Sequence, residues 1–243
     1  MKLSGKTALI TGGGTGIGKA IAIALAEEGC RVAVAGRREE PLREAAESFA
    51  GEPKIEVHVA DVADRDRVTA LVNWAYEQFG RVDILVNNAG INTPHRSLLE
   101  LDPNDWDRLM AVNATGAYNC IHAVVPGMVE RGDGLIVNIS STSGKRAGLL
   151  GGVAYNASKF AMAALGLSAA LELGEKGVRV TNVFPGEVET PILDNRPVPV
   201  STEHRARILQ GEDIAAAVLM IACLPPRAHV AELIIKPTTQ RYE

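Results

Sequence analysis

Along the chain, short runs rich in Val and Ile alternate with longer stretches whose apolar residues recur every three or four positions. Thr7-Ala-Leu-Ile-Thr11 reads as a first strand. Between Ile17 and Glu28, the residues Ile17, Ala20, Ile21, Ala24 and Leu25 share one helical face. The same signals predict strands over Arg31–Ala35, Ile55–Ala60, Val82–Val86, Leu135–Ile139, Val178–Phe184 and Leu233–Ile235. They predict helices over Glu39–Phe49, with Pro41 in the first turn, and over Arg65–Phe79, Tyr155–Glu175 and Ile214–Leu224. Asp102 reads as an N-cap followed by Pro103 at the first helical position. The helix it opens should run to about Arg131, kinked at Pro126 and stopped by Gly132-Asp-Gly134.

Strand–helix alternation of this kind predicts an α/β protein with a parallel sheet covered on both faces and right-handed crossovers. The alternation holds across residues 1–243 and suggests one domain. Only the polar, Pro-punctuated stretch from Ile192 to Gln210 breaks the rhythm. A substrate lid over about 190–211 is expected there.

Composition narrows the functions. Hydrophobic residues make up 47% of the 243, yet aromatics only 4%, so Ala, Val, Ile and Leu must fill the core. That suits strands buried on both faces. A net charge of −4 without a basic stripe argues against a nucleic-acid partner. No run is long enough to span a bilayer, and the N-terminal apolar run is too short for a signal segment. Cys30, Cys120 and Cys223 form no CxxC pair or metal spacing, and neither do the histidines His58, His122, His204 and His229. A cytoplasmic protein with buried thiols and no metal is expected.

The first chemical signal is Thr11-Gly-Gly-Gly-Thr-Gly-Ile-Gly18, set between the first strand and the first helix. Glycine permits positive φ and presents no Cβ to a phosphate. The turn also aims backbone N–H groups and a helix N-terminus at an anion. In this strand–turn–helix position the GxxxGxG spacing predicts a dinucleotide site. After the second strand the chain reads Ala35-Gly36-Arg37-Arg38. There is no carboxylate to accept from a free ribose 2′-hydroxyl, and a guanidinium fork suited to a phosphate follows at once. This favours NADP(H) over NAD(H). The alternative is that Arg37 and Arg38 are solvated charges pairing with Glu39 and Glu40.

The second signal is Tyr155-Asn-Ala-Ser-Lys159, where one helical turn puts the phenol and the ammonium on the same face. At about 6 Å and an effective dielectric of about 20, their attraction is about 3 kcal/mol. That would lower the phenol by about two pKa units. Ser141, at the end of the fifth strand, can place a hydroxyl beside the Tyr155 oxygen and polarise a carbonyl.

With these landmarks go Asp61-Val62, Asn87-Asn-Ala-Gly90, Asn113, Ile139-Ser-Ser141 and Pro185-Gly-Glu-Val-Glu-Thr190. In this order and spacing the chain resembles the short-chain dehydrogenase/reductase family over nearly its whole length. The resemblance implies a single Rossmann-type domain with a doubly wound, seven-stranded parallel sheet. It implies catalysis by Asn113, Ser141, Tyr155 and Lys159, with hydride transfer from the B face and without a metal. Cofactor contacts would come from Gly12, Gly14, Thr15, Gly16, Ile17, Gly18, Arg37 and Arg38. Asp61 and Val62 would flank the adenine, while Asn87, Asn88, Ala89 and Gly90 would line the cofactor beyond the fourth strand. Tyr155 and Lys159 would touch its ribose. Pro185, Gly186 and Val188 would border the nicotinamide, and Thr190 would bond its carboxamide. Asn113 would interrupt its helix and hold a water linked to Lys159, feeding a proton relay to solvent. The long helices from Asp102 and Tyr155 would pair subunits into a homodimer or homotetramer.

Glu232-Leu-Ile-Ile-Lys-Pro-Thr-Thr-Gln240 resembles the ending of the NADP-dependent 3-hydroxy-acid and serine-type branch. A small carbonyl or secondary alcohol is therefore the expected substrate, a 3-oxo or 3-hydroxy acid among them. The candidate contacts are Asn92, His95, Ser143 and Glu187. Lys145 and Arg146 are either solvated or attract a carboxylate. The alternatives are a 3-oxoacyl-carrier-protein reductase and an NADP(H)-sensing regulator without turnover.

Overall fold

The computed structural model describes residues 1–240. Seven parallel strands form one sheet: β1 (Thr7–Thr11), β2 (Arg31–Gly36), β3 (Glu56–Val59), β4 (Ile84–Asn87), β5 (Gly134–Ile139), β6 (Val178–Pro185) and β7 (Glu232–Ile235). Their order is β3-β2-β1-β4-β5-β6-β7. The chain winds outward from β1 in one direction and from β4 in the other, which is the doubly wound Rossmann arrangement. The order reverses between β1 and β4, where such sheets open a crevice at their carboxyl ends.

The strands are apolar throughout because both faces are covered. In β1, Ala8 and Ile10 point into one core with Leu25 of α1 (Gly16–Glu27) and Ile214 and Val218 of α8 (Gly211–Ala222). Leu9 points into the other, with Leu71 of α3 (Arg65–Phe79) and Val124 and Met128 of α5 (Gly116–Arg131). Each such fully buried Leu or Ile stabilises the fold by about 1.5–3 kcal/mol. Cys30 and Cys120 are free and buried in these cores, and burial pushes both thiols up to about 12.

The third helix follows its sequence signals closely. Asp64 caps α3 by accepting from the backbone N–H of Asp66 and Arg67, and Gly80 ends it with φ 78°. The remaining helices are α2 (Glu39–Glu47), α4 (Pro103–Met110), α6 (Val153–Leu173) and α7 (Thr202–Arg205). The single kinked helix expected over 102–131 is different. Asp102 does cap α4, accepting from Asn104, but the helical path changes pitch at Ala111–Thr115, a π-helical turn, and α5 continues through Pro126. At its centre is Asn113, whose side chain bonds both the N–H and the carbonyl of Ile91.

Glycines bring α6 close to the sheet. A Cβ on Gly166 would stand 2.1 Å from Asn182 Oδ1 on β6. Asn87, Asn138 and Asn182 form a ladder of amides across β4, β5 and β6, ending on the Ala163 carbonyl of α6. At the other end of the contact, a Cβ on Gly144 would meet the Lys159 carbonyl at 2.7 Å. Among the described residues, no helix is long and apolar enough to cross a membrane.

Candidate active site

The carboxyl ends of the strands open into a cleft of about 1110 Å³. Segments following all seven strands line it, from Gly12 after β1 to Gln240 after β7.

Its first half is built from backbone. The N–H groups of Gly12 and Gly13 both donate to Ala35 O, which ties the glycine turn to the end of β2. Asn88 donates to Thr11 O and Gly12 O and ties the same turn to the end of β4. Gly12 and Gly16 hold φ of 64° and 52°, and a Cβ on Gly16 would stand 2.8 Å from Thr190 Cγ2. Thr15, at the N-cap of α1, makes no side-chain capping bond. The first-turn N–H groups are thus directed at the cleft without a protein partner, as an anion site requires. Gly14 and Ile17 line the same wall.

Arg37 and Arg38 border this half, and neither makes an ion pair with any described residue. Glu39, the partner considered for them, is bonded to Arg43 instead. Gly36 adds no carboxylate. Asp61 and Val62 line the wall beyond β3, with Asp61 Oδ1 also accepting from Ala63 N at 3.0 Å. Ala89 and Gly90 line it beyond β4. Two residues expected on the cofactor lie elsewhere. Asn87 is buried beneath the cleft and donates to Asn138, as the head of the amide ladder. Gly18 packs α1 onto the turn, where a Cβ would stand 2.4 Å from Gly12 O.

The second half carries the reactive side chains. Ser141 N-caps a short 3₁₀ turn, Thr142–Gly144, its hydroxyl accepting from Ser143 N at 3.1 Å. Tyr155 and Lys159 reach the cleft from the first turns of α6. The lysine Nζ lies 5.7 Å from the tyrosine ring centre and donates to Ile139 O at 2.9 Å. Burial pushes the Lys159 ammonium down to about 8.

The expected lowering of Tyr155 by Lys159 is not what the site does on its own. Burial raises the Tyr155 phenol, and the Ser141 hydroxyl and the Arg96 charge offset that only in part. Desolvation of both partners outweighs the attraction estimated for a half-solvated pair. Tyr155 is therefore held as the neutral acid. Asn113 does not line the cleft but stands behind it. Its Oδ1 accepts from Ile91 N at 2.8 Å, and its Nδ2 donates to Ile91 O and Ser158 Oγ. A Cβ on Gly90 would sit 3.5 Å from Lys159 Nζ and 3.6 Å from Asn113 Oδ1, so the three groups meet there.

The substrate contacts expected from sequence divide. Ser143 lines the cleft. Asn92 does too, but its Nδ2 is bonded to Gly151 O. Glu187 is held between Arg196, at 3.3 Å, and His204, at 2.6 Å. His95 is exposed on the outer side of its loop and does not line the cleft, which takes the next residue, Arg96, instead. Lys145 also turns away, paired with Glu232 at 2.5 Å and lying over the Phe184 ring, whereas Arg146 lines the cleft.

The stretch after β6 wraps this half with a 3₁₀ turn, Pro191–Asn195, and α7, clasped by Arg205 to Glu189 and Asp194. Val188 forms an isolated bridge with Leu209. The Thr190 hydroxyl donates to Val188 O at 3.4 Å. Pro185 and Gly186 lie at the floor, and Gly186 leaves room for Gln240, whose Oε1 accepts from Glu187 N. Two contributions escaped the sequence reading: Arg96, and the tail residues Thr239 and Gln240. The tail was legible only as a motif, and Arg96 carried no spacing signal.

Known proteins share this arrangement. A family model described as short chain dehydrogenase matches residues 6–198. A 3-oxoacyl-[acyl-carrier-protein] reductase of Thermotoga maritima is 36% identical over 228 residues, 91% of this chain and 92% of that one. Among solved structures, a metagenomic short-chain oxidoreductase in complex with NADP is 34% identical with a TM-score of 0.85, covering 99% of this chain and 100% of that one. The closed form of a serine dehydrogenase complexed with NADP+ is 29% identical with a TM-score of 0.89, covering 97% of this chain and 96% of that one. The match spans the glycine turn, the serine strand end and the tyrosine helix alike, and the chain belongs to the short-chain dehydrogenase family.

Proposed function

We propose that this oxidoreductase moves a hydride between NADP(H) and a small carbonyl or secondary alcohol, within one domain whose lid spans about 190–211. The observation that carries the reading is the convergence of Ser141, Tyr155 and Lys159 in the cleft that the glycine turn and Arg37 also line. The uncapped start of α1 suits a pyrophosphate, and the two unpaired arginines suit a 2′-phosphate. Both NADP-bound relatives support the same preference, with NAD(H) second.

When bound, the cofactor supplies or accepts the hydride. The protein's residues handle the oxygen and the proton. Ser141 donates to the carbonyl oxygen and holds it as charge develops. Tyr155, kept protonated by its burial, gives that oxygen a proton in the reducing direction and takes one back in the oxidising direction. Lys159 favours the phenolate left behind, and the proton is relayed onward past Lys159 toward Asn113, which meets it behind the cleft at Gly90.

A short 3-oxo or 3-hydroxy acid is the substrate class we favour. The Thermotoga maritima relative supports a second reading, reduction of a 3-oxoacyl group on a carrier protein. Exposed Val153, Phe160, Leu167 and Leu171 make an apolar stripe along α6, joined by Trp106 and Tyr118 of α4 and α5. The stripe supports pairing through these helices into a homodimer or homotetramer. Three free cysteines support a reducing, cytoplasmic setting. The test is to mix the protein with NADPH, and separately NADH, and a panel of 3-oxo acids, ketones and aldehydes. Absorbance of the reduced nicotinamide should fall, faster with NADPH. No turnover across the panel would sink the reading.

A further inference from the structure

Arg96 is only 8% exposed, yet no ion pair joins it to any described residue. Its backbone is braced against the start of α6. Arg96 O accepts from Val153 N at 3.2 Å, and Gly152, at φ 78°, has no room for a Cβ, which would stand 2.5 Å from Arg96 Cβ. The bracing sets the guanidinium beside Tyr155, close enough for its charge to favour the phenolate. Nε donates to Thr93 O at 2.8 Å, one Nη to Leu150 O at 2.6 Å and the other to Asn195 O at 2.9 Å. All three acceptors are neutral carbonyls. Of the roughly five N–H donors on a guanidinium, one on each Nη is left over.

Arg96 thus carries a full charge into a confined site with no opposite charge to meet it. Its strongest charged neighbour is another cation, Arg196, which also lines the cleft. Arg196 has Glu187 as a counter-charge; Arg96 has none. A guanidinium keeps its charge when buried, so the cost is not relieved by losing a proton. A neutral amide could join the same carbonyls without that cost. The phosphate-reading groups, the α1 terminus and Arg37, lie beyond β1 and β2, whereas Arg96 stands at the Tyr155 end.

We propose that Arg96 is the specificity-determining residue that recognises a carboxylate on the carbonyl substrate; this rests on the hydride-transfer reading of the same cleft. The substrate anion supplies the missing counter-charge through charge-assisted hydrogen bonds to the two free Nη donors. Anchoring it there places the carbonyl against Ser141 and Tyr155.

The test compares 3-oxobutanoate with its methyl ester, which keeps the ketone and removes the charge. With NADPH, the unaltered protein should favour the acid in kcat/KM by about 10- to 100-fold, the range expected for a charged hydrogen bond. Arg96→Met should bring that ratio near one, and Arg96→Lys should keep part of it. Because acid and ester are read in one preparation, a variant that folds poorly still gives a valid ratio. Equal losses on both substrates with the ratio intact would make Arg96 a staple of its three loops and overturn the proposal. So would an unaltered protein that does not discriminate.

A turnover-free measurement separates the two readings. Calorimetry should show butanoate binding to the unaltered protein with NADP+, and loss of that binding in Arg96→Met. If neither ketone is reduced but butanoate binding depends on Arg96, the hydride-transfer reading fails and the anion site stands. If butanoate does not bind the unaltered protein, the anion site falls.

Discussion

The two halves of the cleft are built on different principles. The half around β1 and β2 is made of backbone. Gly12, Gly13 and Gly16 turn tightly because Ala35 and Asn88 hold the loop from either side, and the ligand-facing groups are main-chain N–H donors. The half around β5 and β6 is made of side chains gathered from distant segments: Arg96 from after β4, Tyr155 from α6, Glu187 from after β6 and Gln240 from the tail. The first can be reused with many partners, since a phosphate looks alike on any dinucleotide. The second depends on which side chains those segments bring, and some of its contacts, such as those of Glu187, are ion pairs that a substitution or a proton can change.

The sharpest way to break the comparison is Tyr155→Phe. It should cut turnover by about 10²–10⁴-fold, the usual reach of a lost general acid. Cofactor affinity, set in the other half, should change little, as a fluorescence titration of NADPH would show. A variant that loses cofactor binding to the same degree would mean that the halves are not separable. The same tyrosine fixes a pH signature. Its value is raised, so it is protonated at neutral pH. Reduction should therefore fall as pH climbs through that value, while oxidation of the alcohol should rise over the same range.

A middle-sized effect is expected in the backbone half. Arg37→Ala should reduce the NADPH-over-NADH preference by about tenfold or more, given what a charged hydrogen bond contributes. Steady-state kinetics with both cofactors would read it. An unchanged preference would return Arg37 to the solvent.

The smallest effect is expected at the clasp. Glu187→Gln weakens the contacts to Arg196 and His204, each a partly exposed pair of about 0.2–1 kcal/mol. KM for the carbonyl substrate should rise about two- to fivefold while cofactor binding holds. A large fall in kcat would instead place Glu187 in the chemistry.

What the sequence disclosed follows the same division. The glycine turn, α3 and the seven strands were legible because neighbours in sequence determine them. Thr7–Thr11 and Arg65–Phe79 agree to the residue. The interruption at Asn113 was legible only through the family resemblance, and periodicity alone ran one helix through it, because the break goes with a bond to Ile91, 22 positions away. Arg96 was passed over for His95, because in a loop without periodicity only long-range packing decides which side chain turns inward. Tyr155 is legible in the sequence but its environment is not, because the burial that the rest of the fold imposes outweighs the attraction of two charges one helical turn apart.

The π-turn also bears on how related chains should be aligned. One residue of an α-helix corresponds to about 100° of rotation. Deleting any single position between Ala111 and Thr115 would let the segment relax to ordinary pitch and swing α4 around its axis relative to α5. Asn113 would then lose its grip on Ile91, and with it the loop that begins at Gly90. The length of this stretch is therefore fixed, as are Asn113 and the buried Val112 within it. A gap there signals a broken site just as a mismatch at Asn113 does.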